Sequence, residues 1–270
     1  MPLTSTFTPS PADVERYARL RGLARDLNHR IVQTIPREAI PQVAEAIGRL
    51  HGGVLVLGSE DESSVLMDCC LFDWIREGKN IIEKYAENHP PAPGSEEHEL
   101  LEAYRQAKYR IVVPQSRVPG AGAHFVDLLS GEELFIMDVG LSHNPLDVAY
   151  ATRTIPLGQF WMTGGAGLPT GTEAIKIVMD RLSKQRLLEE GRFTDPHKVA
   201  LVFVRTLLES GASQHVAYET VENQRQQEFH SKFHGADVPQ QKMSAYAPAR
   251  NSPCPCGSGK RYKRRCGARV

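Results

Sequence analysis

From Pro11 to Ile31 the apolar residues Val14, Tyr17, Leu20, Leu23, Leu27 and Ile31 recur every three or four positions, which predicts a helix with one buried face. Ser10-Pro11-Ala12-Asp13 supplies its start: a capping side chain, a proline in the first turn where its missing N–H is not needed, and an early carboxylate. Pro36 and Pro41 punctuate the chain. A second helix then carries Val43, Ile47 and Leu50, with Gly52-Gly53 as its end, and Val54-Leu55-Val56-Leu57 reads as a short strand. Helical character returns from Ser64 to Tyr85. Pro90-Pro91-Ala92-Pro93-Gly94 is a loop, and Ser95-Glu96-Glu97 caps another short helix.

The period changes at Tyr109. Arg110-Ile111-Val112-Val113, Ala123-His124-Phe125-Val126-Asp127 and Glu133-Leu134-Phe135-Ile136-Met137 are short extended runs, separated by the turn residues Pro119-Gly120 and Ser130-Gly131-Glu132. Residues 151–163 add one or two strands, and together these runs read as a small antiparallel meander or barrel-like unit. Helical periodicity resumes from Thr172 to Phe233, with Thr194-Asp195-Pro196 as a start signal inside it. The fold expected is α+β: a mainly helical body with a small antiparallel β meander, plus a short C-terminal knuckle. The body spans 1–234 (helical 10–108, β-rich 109–165, helical 172–234). A flexible linker rich in Pro, Gln, Ser and Ala covers 235–253, and 254–270 is the knuckle-bearing tail.

Composition narrows the class. With 270 residues, 41% of them hydrophobic and 24% charged, the chain is ordinary for a soluble globular protein. No apolar run approaches the roughly 20 residues that span a bilayer. The first residues, Met1-Pro2-Leu3-Thr4-Ser5-Thr6-Phe7, lack the basic and apolar regions of a secretory signal, so the expected address is the cytoplasm. Net charge is zero but unevenly placed. Lys260, Arg261, Lys263, Arg264, Arg265 and Arg269 give residues 251–270 six positive charges and no negative one, leaving the rest of the chain at −6. A basic tip on an acidic body suits an acidic or polyanionic partner.

Three of the five cysteines fall in the tail, as Cys254-Pro255-Cys256-Gly257-Ser258-Gly259-Lys260-Arg261-Tyr262-Lys263-Arg264-Arg265-Cys266-Gly267. Thiols so close together in a reducing compartment favour metal over disulfide. Zn²⁺ takes tetrahedral thiolate or imidazole ligands. A Cys-x-Cys step puts two sulfurs on one turn, and Gly257 and Gly259 let the backbone return a third ligand. The surrounding cations favour thiolate over thiol, and the metal supplies order that so short a segment has no core to provide. Cys69 and Cys70, within Leu66-Met67-Asp68-Cys69-Cys70-Leu71-Phe72, read instead as buried structural thiols.

The tail resembles the SEC-C motif, the zinc-binding tail of the SecA preprotein-translocase motor, whose pattern is Cys-x-Cys-Gly-Ser-Gly-Lys-Lys-x-Lys-x-Cys followed by Cys or His. Cys254, Cys256, Gly257, Ser258, Gly259, Lys260 and Lys263 match it, and Arg261 is a like-charged replacement. The resemblance implies Zn²⁺ held by Cys254, Cys256 and Cys266, and recruitment of a partner, which for SecA includes the chaperone SecB. The motif also occurs as an appendage on unrelated bacterial proteins, so it transfers a module and not the motor's activity; no Gly-x-x-x-x-Gly-Lys-Ser/Thr is present. Arg265 stands where the family has its third cysteine and Cys266 where it has its fourth ligand. With one residue inserted, Cys266 becomes the third and Gly267 replaces the fourth. Either way three ligands are local, and the fourth is water, a partner's side chain, or a histidine such as His230 or His234, which share one helix face.

In the body, Gly164-Gly165-Ala166-Gly167-Leu168-Pro169-Thr170-Gly171-Thr172 precedes a helix and would suit an anion, though a plain sheet-to-helix connection is the simpler reading. Glu60, Asp61, Glu62 and Asp68 read as a solvated acidic turn. His124, Asp127, Asp138 and His143 lie on or near the extended runs, where convergence would make a hydrolase-like site; no Gly-x-Ser-x-Gly elbow accompanies them. The reading favoured is non-enzymatic: an interaction protein whose Lys260, Arg261, Tyr262, Lys263, Arg264 and Arg265 face a chaperone, a translocon or a ribosome surface. The alternatives are an enzyme that uses the tail for targeting and an RNA-binding factor whose cations meet phosphates.

Overall fold

Ser10 begins the first helix as its side chain dictates. In the computed structural model, which describes residues 7–142, 148–189 and 192–212, its hydroxyl accepts from the Asp13 N–H while the Asp13 carboxylate accepts from the Ser10 N–H. Helix α1 (Pro11–Val32) buries Tyr17, Leu20, Ala24, Leu27 and Ile31. Helix α2 (Ala39–Ala46) stops short of Gly52-Gly53. Those glycines instead take φ of +57° and +81° and turn a two-residue hairpin between β1 (Leu50–His51) and β2 (Val54–Leu55), the left-handed geometry that such a turn requires.

The helical stretch expected from Ser64 to Tyr85 is two helices, α3 (Glu60–Phe72) and α4 (Ile81–Asn88). Between them Glu77 and Gly78 adopt positive φ, and Asn80 with Glu83 forms a second capping box that starts the chain afresh. Helix α5 (Glu96–Arg105) follows, capped by Ser95.

Strands β3 (Lys108–Val118), β4 (Gly122–Asp127), β5 (Glu133–Met137), β6 (Ala149–Leu157) and β7 (Phe160–Thr170) close into a barrel in the order β3-β4-β5-β7-β6, with β6 returning to β3. This corrects the expectation of a mainly helical body carrying a small antiparallel meander. A meander would lay β6 against β5. Here the β6–β7 hairpin swings over so that β7 runs parallel to β5 at Ile136 and Trp161, and β6 pairs with β3 from Lys108–Thr154 to Val112–Tyr150. Closure leaves no free edge, and that is its physical advantage. Val112, Ala123, Phe125, Leu134 and Ile136, with Tyr150 and Trp161 against them, form a cluster to which all five strands contribute, as a barrel interior requires. Gly122 permits the tight approach of β4 to β5, because a Cβ there would lie 2.1 Å from the Ile136 carbonyl oxygen.

Alternate strand residues, Tyr109, Ile111, Ala151, Ile155, Phe160 and Met162 among them, belong to the larger core shared with the helices. After the barrel come α6 (Thr172–Lys184), the small pair β8 (Leu188–Glu189) and β9 (Arg192–Phe193), and α7 (Pro196–Glu209), which Asp195 caps. Helices α3, α5 and α7 pack on β7, β6 and β3 respectively, so the helical layer covers one side of the barrel. Among the described residues no helix is long and apolar enough to cross a membrane.

Candidate functional site

Where α3 meets the barrel, the core carries charge. Arg153 of β6 is in phase with Ala151 and Ile155 and therefore points to the helices, not into the barrel. Its Nε and Nη2 donate to Asp68 Oδ2 at 3.1 and 2.9 Å, and its Nη1 donates to Asp73 Oδ1 at 3.3 Å, with a shorter contact between Nη2 and Asp73 Oδ2. Phe72 and Tyr109 stack on the guanidinium, their ring centroids 4.6 and 5.2 Å from Cζ. Asp73 is the C-cap of α3, where the helix dipole disfavours a carboxylate, so the guanidinium offsets a local cost as well as pairing a charge. His197 Nδ1 of α7 approaches Asp73 Oδ1 at 3.6 Å, and its interaction with that carboxylate raises its pKa above the usual histidine value.

One cation faces two carboxylates, and burial leads the effects that raise the Asp68 pKa, working against Arg153. Asp68, Cys69 and Asp73 bring ligand atoms within 4.8 Å of one another, a spacing that a metal ion would fit. The Arg153 guanidinium already joins the two carboxylates, and burial pushes the Cys69 thiol far above its ordinary range, so this cluster is an ion network. Cys70, its thiol pushed up to about 12 chiefly by burial, is likewise buried.

Beside the network a cleft opens between α1 and β7. An inner compartment of about 190 Å³ is lined by Asn28, Asp68, Phe72, Tyr104 and Gly164–Ala166, and an outer one of about 430 Å³ by Tyr17, Arg21, Arg25, Asn28 and Gly164. The Tyr104 hydroxyl and the Asn28 amide oxygen are buried and lack a partner of acceptable hydrogen-bond geometry, although the two residues lie side by side. Burial raises the Tyr104 pKa, and Arg21 pulls in the opposite direction.

The residues singled out in the sequence fare differently. His124 packs edge-on against Phe135 at 4.8 Å, and partial burial holds its pKa below the usual value. Asp127 is taken up by Arg110 and by the Leu129 N–H and Ser130 hydroxyl. Asp138 accepts from the Leu141 N–H and the Thr163 hydroxyl. These three serve separate local structures, and His143 lies outside the described residues. The acidic group is no solvated turn: Asp61, Glu62 and Asp68 are buried. Glu62 receives Arg49 through two 2.9 Å bonds and the Gly58 N–H at 2.8 Å. Residues 164–170 are strand rather than connection, and the helix after them starts at Thr172. Cys254, Cys256, Cys266, His230, His234 and Lys260 to Arg265 lie outside the described residues, as does the linker.

Arg153, Asp73, His197, Asn28 and Tyr104 were not singled out. A signal existed for Arg153, a charge in phase with the apolar positions of a strand, and for Asp68, a charge inside an apolar helical run.

Residues 11–203 match the family described as "Family of unknown function (DUF7986)", and the chain belongs to it. Residues 250–268 match the SEC-C motif, a motif of zinc-binding type. The chain is therefore a SEC-C motif protein with its own distinct body. No curated protein and no solved structure matches it.

Proposed function

We infer that this chain is an interaction protein in which the tail is the recruiting module. The observation that carries the reading is the SEC-C match on a segment with three thiols, six cations and no carboxylate. The donor set suits Zn²⁺: Cys254 and Cys256 would hold it from one turn, Cys266 from the return of the chain, and a fourth ligand from water, His230, His234 or the partner. Bound zinc would order a segment without a core. Lys260, Arg261, Tyr262, Lys263, Arg264 and Arg265 would then form a fixed basic face for an acidic protein or ribosomal surface. The hydrolase-like alternative finds no support in His124, Asp127 and Asp138, which do not share a cluster among the described residues.

Zinc measured per chain in protein purified without added metal, beside Cys254→Ser, tests the first half. One equivalent in the parent and its loss in the variant supports the knuckle; none in the parent under reducing conditions rejects it. Co-sedimentation with ribosomes at low ionic strength, and its loss in Lys260→Glu/Lys263→Glu, tests the second. Unchanged sedimentation of the variant removes the tail from recruitment, while steeply salt-dependent binding to naked RNA would favour the RNA-binding alternative.

A further inference from the structure

The cleft between α1 and β7 is chemically polarised. Along α1, Arg16, Arg19 and Arg30 are each paired with a glutamate of α5 (Glu99, Glu96 and Glu97). Arg21 and Arg25, one turn apart on the wall of the outer compartment, have no carboxylate partner among the described residues. Arg21 donates one nitrogen to the Thr163 carbonyl, and a Cβ on Gly165 would sit 3.7 Å from its other terminal nitrogen. The outer compartment thus presents two unneutralised guanidinium groups on a helix whose neighbouring arginines are matched.

The inner compartment has the opposite character. Its polar atoms include two acceptors, Asn28 Oδ1 and Asp68, which receives Arg153 on Oδ2, and the Tyr104 hydroxyl, which can accept or donate; neither Asn28 Oδ1 nor that hydroxyl has a partner of acceptable hydrogen-bond geometry. The rest of its wall is apolar, from Val32, Met67, Leu71, Phe72 and Ile155. Gly164 lets β7 approach this wall, because a Cβ there would lie 3.1 Å from Asp68 Oδ1. A buried hydroxyl and a buried amide oxygen without well-aligned partners are costly to keep unless a bound group pairs with them.

We propose that this cleft binds a small organic carboxylate whose apolar tail ends in a hydrogen-bond donor. The carboxylate meets Arg21 and Arg25 in the outer compartment. The tail passes Gly164 into the inner one, and the terminal hydroxyl or ammonium satisfies Asn28 Oδ1, the Tyr104 oxygen and Asp68. The reverse orientation would place the anion against Asp68, which the field of the site opposes. This site is independent of the zinc tail.

The test uses the full chain, titrated calorimetrically with two matched pairs: 4-hydroxyphenylacetate and phenylacetate, and 5-aminopentanoate and pentanoate. The donor-bearing member of at least one pair is expected to bind about tenfold or more tightly than its partner. Arg25→Glu, at an exposed position without an ion pair, is expected to weaken that acid about tenfold or more with an unchanged melting temperature. Tyr104→Phe removes a hydroxyl without a partner of acceptable hydrogen-bond geometry, so it is expected to diminish the donor preference while leaving thermal stability close to the parent's or higher. No binding by any of the four acids at millimolar concentration overturns the proposal. So does an Arg25→Glu protein that binds as the parent does, or a Tyr104→Phe protein that loses stability and keeps the donor preference.

Discussion

Two buried arginines on neighbouring barrel strands do different structural work. Arg110 of β3 pairs with Asp127 of β4, 17 residues away, and reaches out to the more exposed Glu132. It stitches the barrel to itself. Arg153 of β6 pairs with Asp68 and Asp73, 85 and 80 residues away on and just beyond α3. It stitches the barrel to the helical layer and has no exposed partner. Asp127 keeps other donors, the Leu129 N–H at 3.0 Å and the Ser130 hydroxyl at 2.8 Å, whereas Asp68 has Arg153 as the one hydrogen-bond donor to its carboxylate among the described residues. The same pair of residue types is therefore a local tie in one place and the electrostatic centre of an interface in the other.

Breaking the interface is expected to cost most. Arg153→Met leaves two buried carboxylates without their guanidinium and should lower unfolding free energy in urea by about 3–5 kcal/mol. A loss under about 1 kcal/mol would mean that the helical layer does not depend on this centre. Adding Asp68→Leu and Asp73→Leu to that variant should restore most of the stability, because an apolar set of similar size avoids desolvating any charge. Arg110→Met should cost less, about 1–3 kcal/mol, since Asp127 retains its two other hydrogen bonds. Equal losses in the two single variants would erase the distinction.

Thiol reactivity sharpens the contrast further. Cys69 adjoins the Arg153 network and is buried, so alkylation of the peptide containing Cys69 and Cys70 should rise in Arg153→Met and stay at the parent's level in Arg110→Met. The smallest effect belongs to His197. Its pKa is higher in the folded state than in the unfolded one, so its ion pair with Asp73 adds stability at pH below the unfolded value and loses it as pH rises through the folded value. Because His197 is partly exposed, the stability difference between the parent and His197→Gln should be under about 1 kcal/mol, and it should vanish in alkaline buffer. A difference that grows with pH would place the wrong partner on Asp73.

Local chemistry was legible and non-local chemistry was not. The starts of α1 and α7 can be read from Ser10-Pro11 and Asp195-Pro196 because a cap is satisfied within one turn. Asn80 and Glu83 carry the same kind of signal, yet the apolar residues on both sides hid the break between α3 and α4. The burial of Cys69 and Cys70 followed from their apolar surroundings. Glu62 reads as solvated in the sequence because its partner, Arg49, lies on the far side of the β1–β2 hairpin, where no local pattern points to it. For the cleft, Gly164 and Gly165 were visible as a glycine-rich run, but Asn28 and Tyr104 are unremarkable helical residues until their helices meet.

The caps of α1 and α7, the extended runs of the barrel strands and the SEC-C tail are legible along the chain, since each depends on residues only a few positions apart. Long-range packing sets the closure of the strands into a barrel through the parallel contact of β5 with β7. It alone decided that Arg153 meets Asp68 and Asp73, and that two arginines and two orphaned polar groups share one cleft. A single sequence records what each position prefers to be surrounded by; which distant segment provides those surroundings is settled by the packing of the whole core.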